Sequence, residues 1–135
     1  MKAVVLDTSA LMRLLLPDGP LPAGAEDALH RAERGDLQLL TPELALAEGA
    51  QVLHKKRQQR YINADEQKEL LADLLTIPLQ LFSHKPLLSR AVALAEEQKL
   101  TVYDALFLAL AEKYNAVLIT ADADLLRAAE RLHVA

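Results

Sequence analysis

Four carboxylates stand where buried segments of the chain would be expected to carry apolar or uncharged residues. They are Asp7, Glu48, Asp104 and Asp122, and no basic residue is spaced to pair with them. A buried charge is costly unless it is paired or binds a metal ion. Two carboxylates about 4 Å apart repel each other by roughly 4 kcal/mol at an effective dielectric constant of 20. The four acids together therefore predict a site for a divalent cation.

The other potential ligands in the chain narrow the choice of ion. There is no cysteine, and the four histidines are scattered rather than set at ligand spacing. A site made only of oxygen ligands selects hard cations over Zn²⁺. Mg²⁺ or Mn²⁺ is the predicted cofactor, and disulfides and thiol catalysis are excluded.

Each acid taken alone also has an ordinary structural interpretation. Asp104 would suit the positive end of a helix dipole, and Asp122 would cap a helix that follows it. Glu48 would point to solvent. Asp7 is harder to explain in this way, because aspartate is depleted in strands. Four independent explanations of this kind require four coincidences, so we favour one shared metal site.

Hydrophobic patterning predicts alternating strands and helices that would hold these acids. Predicted strands cover residues 2–7, 37–40, 78–82, 116–119 and an edge strand at His133-Val134. Predicted helices cover residues 9–16, 25–34, 42–57, 64–75, 86–98, 102–115 and 122–131. Thr41, Asn63 and Thr101 are read as N-caps, with Pro42 as the first residue of its helix.

This alternation predicts an α/β fold with a central, mainly parallel sheet of about five strands flanked by helices. Ligands of such sheets bind outside the carboxyl ends of the strands. Asp7 and Asp122 follow two predicted strands, Glu48 shares a helix face with core residues, and Asp104 lies in the first turn of a helix that is apolar all round.

Composition and charge bound the class of protein. The chain has 135 residues, of which 52% are hydrophobic and 25% are charged, so residues 1–135 are predicted to form one globular domain. A net charge of −4 argues against a protein that coats nucleic acid non-specifically, but not against an enzyme that acts on it. No apolar run reaches the ~18 residues of a membrane span, and the N-terminus does not read as a signal peptide. A cytoplasmic location without a membrane partner is predicted.

Four ordered motifs resemble those of the PIN-domain ribonucleases, in particular the small VapC-type toxins of toxin–antitoxin modules. The motifs are VVLDTSA at 4–10, PELALAE at 42–48, YDALFLALA at 103–111 and LITAD at 118–122. Each motif alone is weak evidence, but their order and spacing cover almost the whole chain. The resemblance implies a three-layer PIN-like fold.

The resemblance also implies a function for individual residues. Asp7, Glu48, Asp104 and Asp122 would be the catalytic acids that bind Mg²⁺ or Mn²⁺ and direct hydrolysis of phosphodiester bonds in RNA. Hydroxyl groups that orient ligands or water would come from Ser9, Thr120 and Thr8, and Asp124 is a further acid close to the motif. Expected partners are the RNA substrate, a cognate antitoxin protein and a second copy of the chain in a homodimer.

Basic residues are candidates for binding the RNA backbone. The run at 54–60 contains Lys55, Lys56 and Arg57, although a helix end exposed to solvent explains such a run equally well. Arg13, Lys85 and Arg90 are further candidates with less support than this run.

Two other functions compete with the nuclease. The first is a PIN-like module that binds RNA or protein without cutting, although such modules usually lack an acid that this chain retains. The second is a phosphotransfer domain with Asp7 as the phosphate acceptor. Haloacid-dehalogenase-like phosphatases place a second aspartate two residues further on, where this chain has Ser9.

Overall fold

The structure is a computed structural model that describes residues 2–135. A parallel sheet of four strands organises the fold of these residues. The strands are β1 (Lys2–Leu6), β2 (Leu37–Pro42), β3 (Leu79–Phe82) and β4 (Val117–Ile119). Their order is β3-β2-β1-β4, and every neighbouring pair is parallel. The predicted α/β fold with a mainly parallel sheet is confirmed. The predicted edge strand at His133-Val134 is wrong: the Val134 carbonyl accepts one hydrogen bond from the Leu118 amide (2.6 Å), but no further strand forms.

Seven α-helices flank this sheet in the described residues. They are α1 (Thr8–Leu15), α2 (Ala25–Glu33), α3 (Leu44–Gln58), α4 (Ala64–Thr76), α5 (Leu88–Gln98), α6 (Val102–Lys113) and α7 (Ala123–Arg131). A 3₁₀ turn, Lys85–Leu87, precedes α5 within the segment predicted as one helix. Between residues 2 and 135 there is no helix with the length and apolar character needed to cross a lipid bilayer.

Three predicted helix caps have different outcomes. Asn63 and Thr101 are confirmed, since each side chain accepts a hydrogen bond from the backbone of its helix. Thr41 is not a cap, and Pro42 is not the first residue of a helix. Both residues continue β2, paired with Leu81 and Phe82 of β3. The buried Thr41 hydroxyl instead donates to the Leu6 carbonyl (2.9 Å), so the side chain joins β2 to the end of β1.

Helix α6 forms the centre of the hydrophobic core. Residues 105–111 are all buried, as the continuously apolar sequence requires. The helix packs against α5, β1 and β2. Because its body is fixed on every side, the first turn of α6 is held rigidly at the carboxyl edge of the sheet, and Asp104 lies in that turn.

Candidate metal centre

The strand order creates a crevice between β1 and β4. The chain adds β2 and β3 on one side of β1 and later places β4 on the other side. Such a reversal is where open parallel sheets bind their ligands, outside the carboxyl ends of the strands. Asp7 directly follows β1, and Asp122 follows β4 after a short turn.

Asp7 is a buried carboxylate held by neutral hydrogen-bond donors. It caps α1, with Oδ1 accepting from the Ala10 amide (2.9 Å) and the Ser9 hydroxyl (2.7 Å). Its Oδ2 accepts from the Thr120 hydroxyl (2.6 Å). The residue is only 5% exposed. Burial raises the pKa of Asp7, and the three hydrogen bonds offset part of that rise.

Ser9 and Thr120 join the two strand ends on either side of the crevice. Their hydroxyl oxygens lie 3.2 Å apart. The Ser9 oxygen also accepts from the Ala121 amide (2.9 Å), and the Thr120 oxygen accepts from the Asp122 amide (3.0 Å). These bonds fix the turn after β4 against the start of α1. The position of Asp122 relative to Asp7 is therefore set by two hydroxyl side chains.

Asp122 caps α7, as its ordinary interpretation predicts. Its Oδ1 accepts from the Leu125 amide (2.9 Å). This bond uses one carboxylate oxygen and leaves Oδ2 for another ligand, because an ionised carboxylate can accept several interactions. Capping a helix and binding a cation are therefore compatible roles for this residue.

Glu48 enters the crevice from α3. The Thr8 hydroxyl donates to Glu48 Oε1 at 2.6 Å. Thr8 belongs to the first turn of α1, so this bond ties the helix that follows β1 to the helix that follows β2. The Glu48 side chain is half-buried on the face of α3 that also carries the buried Ala45.

Asp104 enters the crevice from the first turn of α6. Its amide donates to the capping hydroxyl of Thr101 (3.1 Å). The pKa of Asp104 is raised, first by burial and then by the negative charges of Asp122 and Glu48. A helix N-terminus alone would favour the ionised form. Burial, followed by the charges of Asp122 and Glu48, raises the pKa instead.

All four acids line one cavity of about 290 Å³. Within residues 2–135, no ion pair joins any of these acids to a Lys, Arg or His side chain. In the same residues, no three acidic or histidine side chains converge at metal-ligand spacing. The oxygen-only donor set and the lack of a basic partner fit Mg²⁺ or Mn²⁺.

Thr8 and Ser9 also line this cavity. The further acid and the basic residues predicted from the sequence lie outside it, with one exception. Asp124 is exposed and paired with Arg127 on α7. Lys56 pairs with Asp18 (2.7 Å), and Arg57 donates to Gln67 (2.8 Å). Lys55 and Lys85 are exposed, and Arg90 binds Glu112 through two nitrogens at 2.7 and 2.9 Å. The exception is Arg13, which lines the cavity.

His84 holds the start of α3 and was missed by the sequence analysis. Helix α3 has no side-chain cap of its own at Glu43. The Leu44 amide instead donates to His84 Nε2 (2.9 Å), and the Glu43 amide donates to the Phe82 carbonyl (2.9 Å). Leu44 lies one turn before Glu48. No local sequence signal reveals this contact, because it depends on β3 lying beside β2.

Replacing His84 is expected to loosen the helix that carries Glu48. His84→Ala removes the acceptor for the Leu44 amide and should lower the free energy of unfolding by about 1 kcal/mol, the usual value for a lost helix cap. His84→Gln offers an oxygen acceptor and should recover part of that loss. Urea unfolding curves measure both, with His54→Ala on the exposed face of α3 as the matched control. Equal stability of the two alanine variants would contradict the anchoring role.

Comparison with known proteins assigns the family. The PIN domain family matches residues 4–131. Ribonuclease VapC3 of Pyrobaculum aerophilum is 35% identical over 124 residues, which cover 90% of this chain and 91% of that protein. The crystal structure of PAE2754 from the same organism aligns with a TM-score of 0.69 and 25% identity over 94% of this chain and 84% of that one. A toxin–antitoxin complex from Klebsiella pneumoniae aligns with a TM-score of 0.55 and 22% identity over 85% and 82%. The chain belongs to the PIN-domain family.

Proposed function

We propose that this protein is a metal-dependent endoribonuclease that hydrolyses phosphodiester bonds in RNA. The observation that carries the proposal is the cavity at the β1–β4 crevice, which is lined by four carboxylates that form no ion pair with a basic side chain of residues 2–135. The ribonuclease name of the 35% identical relative supports the same reaction.

Asp7, Glu48, Asp104 and Asp122 are the residues that would hold Mg²⁺ or Mn²⁺. When bound, such an ion lowers the pKa of a water molecule and stabilises the charge that develops on the attacked phosphate. Asp104 is less buried than Asp7, and burial and the charges of Asp122 and Glu48 raise its pKa against a hydrogen bond from Thr101 that lowers it. Asp7 is the most rigid, because three donors fix both of its oxygens.

Three hydroxyl groups orient these acids. Thr8 directs Glu48, while Ser9 and Thr120 direct Asp7. Hydrogen bonds of this kind fix ligand orientation and typically change metal affinity or activity by about 10- to 100-fold when removed. We therefore assign Thr8, Ser9 and Thr120 to positioning the acids rather than to contact with RNA.

A phosphotransfer role for Asp7 has less support in the geometry. A phosphate acceptor needs an accessible carboxylate oxygen. Both oxygens of Asp7 are hydrogen-bonded, and the side chain is buried. A PIN-like module that binds RNA without cutting uses the same cavity, so only an activity measurement separates it from the nuclease.

We further propose that the protein is the toxin of a toxin–antitoxin pair and acts as a homodimer that a cognate antitoxin inhibits. The VapC name of the relative and the fold of the Klebsiella pneumoniae toxin–antitoxin complex support a protein partner of this kind. Light scattering of the purified chain, alone and co-expressed with its genomic neighbour, would measure both associations.

Cleavage of end-labelled single-stranded RNA tests the proposed reaction. The purified chain should cut RNA with Mg²⁺ or Mn²⁺ and lose this activity in EDTA. Asp7→Asn should remove cleavage while the circular dichroism spectrum stays unchanged. Full activity of Asp7→Asn, or cleavage that persists in EDTA, would contradict the proposal.

A further inference from the structure

Arg13 lies at the boundary between the acid cavity and a second cavity. Of the basic side chains in residues 2–135, it alone lines the acid cavity. Its Nη1 donates to the Pro20 carbonyl (3.2 Å), and its guanidinium group covers Gly19. It forms no ion pair with the four acids that line the same cavity, so its guanidinium group is not neutralised by them.

The second cavity has a volume of about 390 Å³ and mainly apolar walls. The loop residues Pro20, Leu21 and Pro22 form one wall, and the end of β4 with Leu126 of α7 forms another. Arg13 contributes the one charged side chain among the described residues that line it. Thr120 also lines the second cavity, and its hydroxyl donates to Asp7, which lines the acid cavity. The two cavities therefore adjoin at Arg13 and at the hydrogen bond between Thr120 and Asp7.

The hydrogen bond to the Pro20 carbonyl uses one of the five N–H donors of the Arg13 guanidinium group. Arginine binds phosphate through two parallel charge-assisted bonds, which are roughly twice as strong as neutral ones. A strand of RNA that approaches four carboxylates also needs a nearby cation to offset repulsion between like charges. Apolar walls beside such a cation suit the flat faces of a nucleobase, which stacks on apolar and aromatic side chains.

We propose that Arg13 binds the phosphate next to the one that is cleaved and that the second cavity receives the nucleoside attached to it. The proposal rests on the proposed ribonuclease function and adds a subsite to it. The loop at residues 20–23 would then set the preference for the base at that position. The basic run at Lys55, Lys56 and Arg57 would not take part, because it lies outside both cavities.

The salt dependence of RNA affinity tests the role of Arg13. The probe is a fluorescein-labelled single-stranded RNA of mixed sequence, and the binding measurement uses the Asp104→Asn background with Mg²⁺ to suppress cleavage. Arg13→Ala should weaken binding about tenfold and reduce the slope of log Kd against log salt by about 0.7, the value for one lost phosphate contact on a single strand. Arg13→Lys should keep the slope, because it keeps the charge. Arg57→Ala is the matched control and should change neither quantity.

Each outcome decides the proposal. No binding of the RNA, or an unchanged slope in Arg13→Ala with a native melting temperature, would overturn it. A purely structural role, in which Arg13 only ties the loop at Pro20 to α1, would lower the melting temperature and leave the slope unchanged. The cleavage assay on the wild-type chain decides the proposed function separately, because it does not involve Arg13.

The nucleoside cavity has its own test. Abasic substitutions placed along the RNA should weaken binding roughly tenfold at one nucleotide position, the size expected for a lost base stack. Leu21→Ser should make the chain insensitive to the abasic change at that position, because the two changes remove the same contact. An abasic scan without such a position, or one that Leu21→Ser does not alter, would reject the second cavity as the base site.

Discussion

Asp104→Asn is expected to lower metal-dependent RNA cleavage by about 10²- to 10³-fold, the usual loss when one electrostatic stabiliser of the transition state is removed. The substitution keeps the size and the helix position of the side chain and removes its charge. Burial and then the charges of Asp122 and Glu48 raise the pKa of Asp104, so the substitution would remove one of the charges that a bound cation neutralises. The measurement is the initial rate of cleavage of end-labelled RNA in saturating Mn²⁺.

Two aspartates serve as controls for this substitution. Asp65 lies exposed in the first turn of α4, which matches the helix position of Asp104. Asp124 lies close to Asp122 in sequence but is paired with Arg127. Asp65→Asn and Asp124→Asn should both retain wild-type rates within a factor of about three, since surface substitutions away from special features usually change free energies by less than about 0.5 kcal/mol. If Asp124→Asn lowered the cleavage rate as much as Asp104→Asn, Asp124 would belong to the catalytic site.

Divalent cations are expected to raise the melting temperature of the wild-type chain by about 5–20 °C. A ligand at about 100 times its Kd contributes about 2.7 kcal/mol to stability, and each kcal/mol shifts the melting temperature of a domain of this size by about 2–8 °C. A cation at the proposed site would bind the ionised carboxylates, so the increase should be larger at about pH 8 than at about pH 5.5. Thermal unfolding followed by circular dichroism measures it. An equal shift in Asp104→Asn would show that the ion binds elsewhere.

In the metal-free protein, Asp7 and Asp104 should make the free energy of unfolding fall as pH rises, whereas stabilisation by the cation should grow with pH. Asp7 and Asp104 have raised pKa values in the folded state, chiefly because they are buried, so the folded protein binds more protons than the unfolded chain in this range. Their contribution to the free energy of unfolding therefore falls as pH rises through the folded pKa values and recovers as pH drops. Glu112 acts in the other direction, because Arg90 lowers its pKa. Comparing wild type with Asp104→Asn across pH isolates Asp104, and the variant should be the more stable at neutral pH.

Local signals in the sequence predicted much of this fold and site. Asn63 and Thr101 are caps that a short window of sequence contains, and α6 is apolar all round because it is buried. The four acids could be identified because a charge in a buried segment is costly wherever the segment packs. Asp122 shows why one residue had two valid interpretations: its Oδ1 caps α7, while its other oxygen is left for a ligand.

Features that depend on contacts between distant segments were not predictable in the same way. The Thr41-Pro42 pair has the composition of a helix start, but pairing with β3 and the hydrogen bond to Leu6 extend the strand instead. His84 reaches α3 only because β3 lies beside β2. The basic run at 54–60 looked more suitable for RNA than Arg13 did, and the fold reverses that order, because Arg13 is the one basic side chain of residues 2–135 that lines the acid cavity.

Titration calorimetry of Mn²⁺ into the wild-type chain, Asp104→Asn and Asp65→Asn most directly tests the claim that the four acids form a metal site. The wild type and Asp65→Asn should bind Mn²⁺ with the same affinity. Asp104→Asn should bind at least about tenfold more weakly, because losing even an outer-shell partner of a metal ligand typically costs about 10- to 100-fold. Equal binding by all three proteins, or no binding by the wild type, would contradict a cation site at Asp7, Glu48, Asp104 and Asp122.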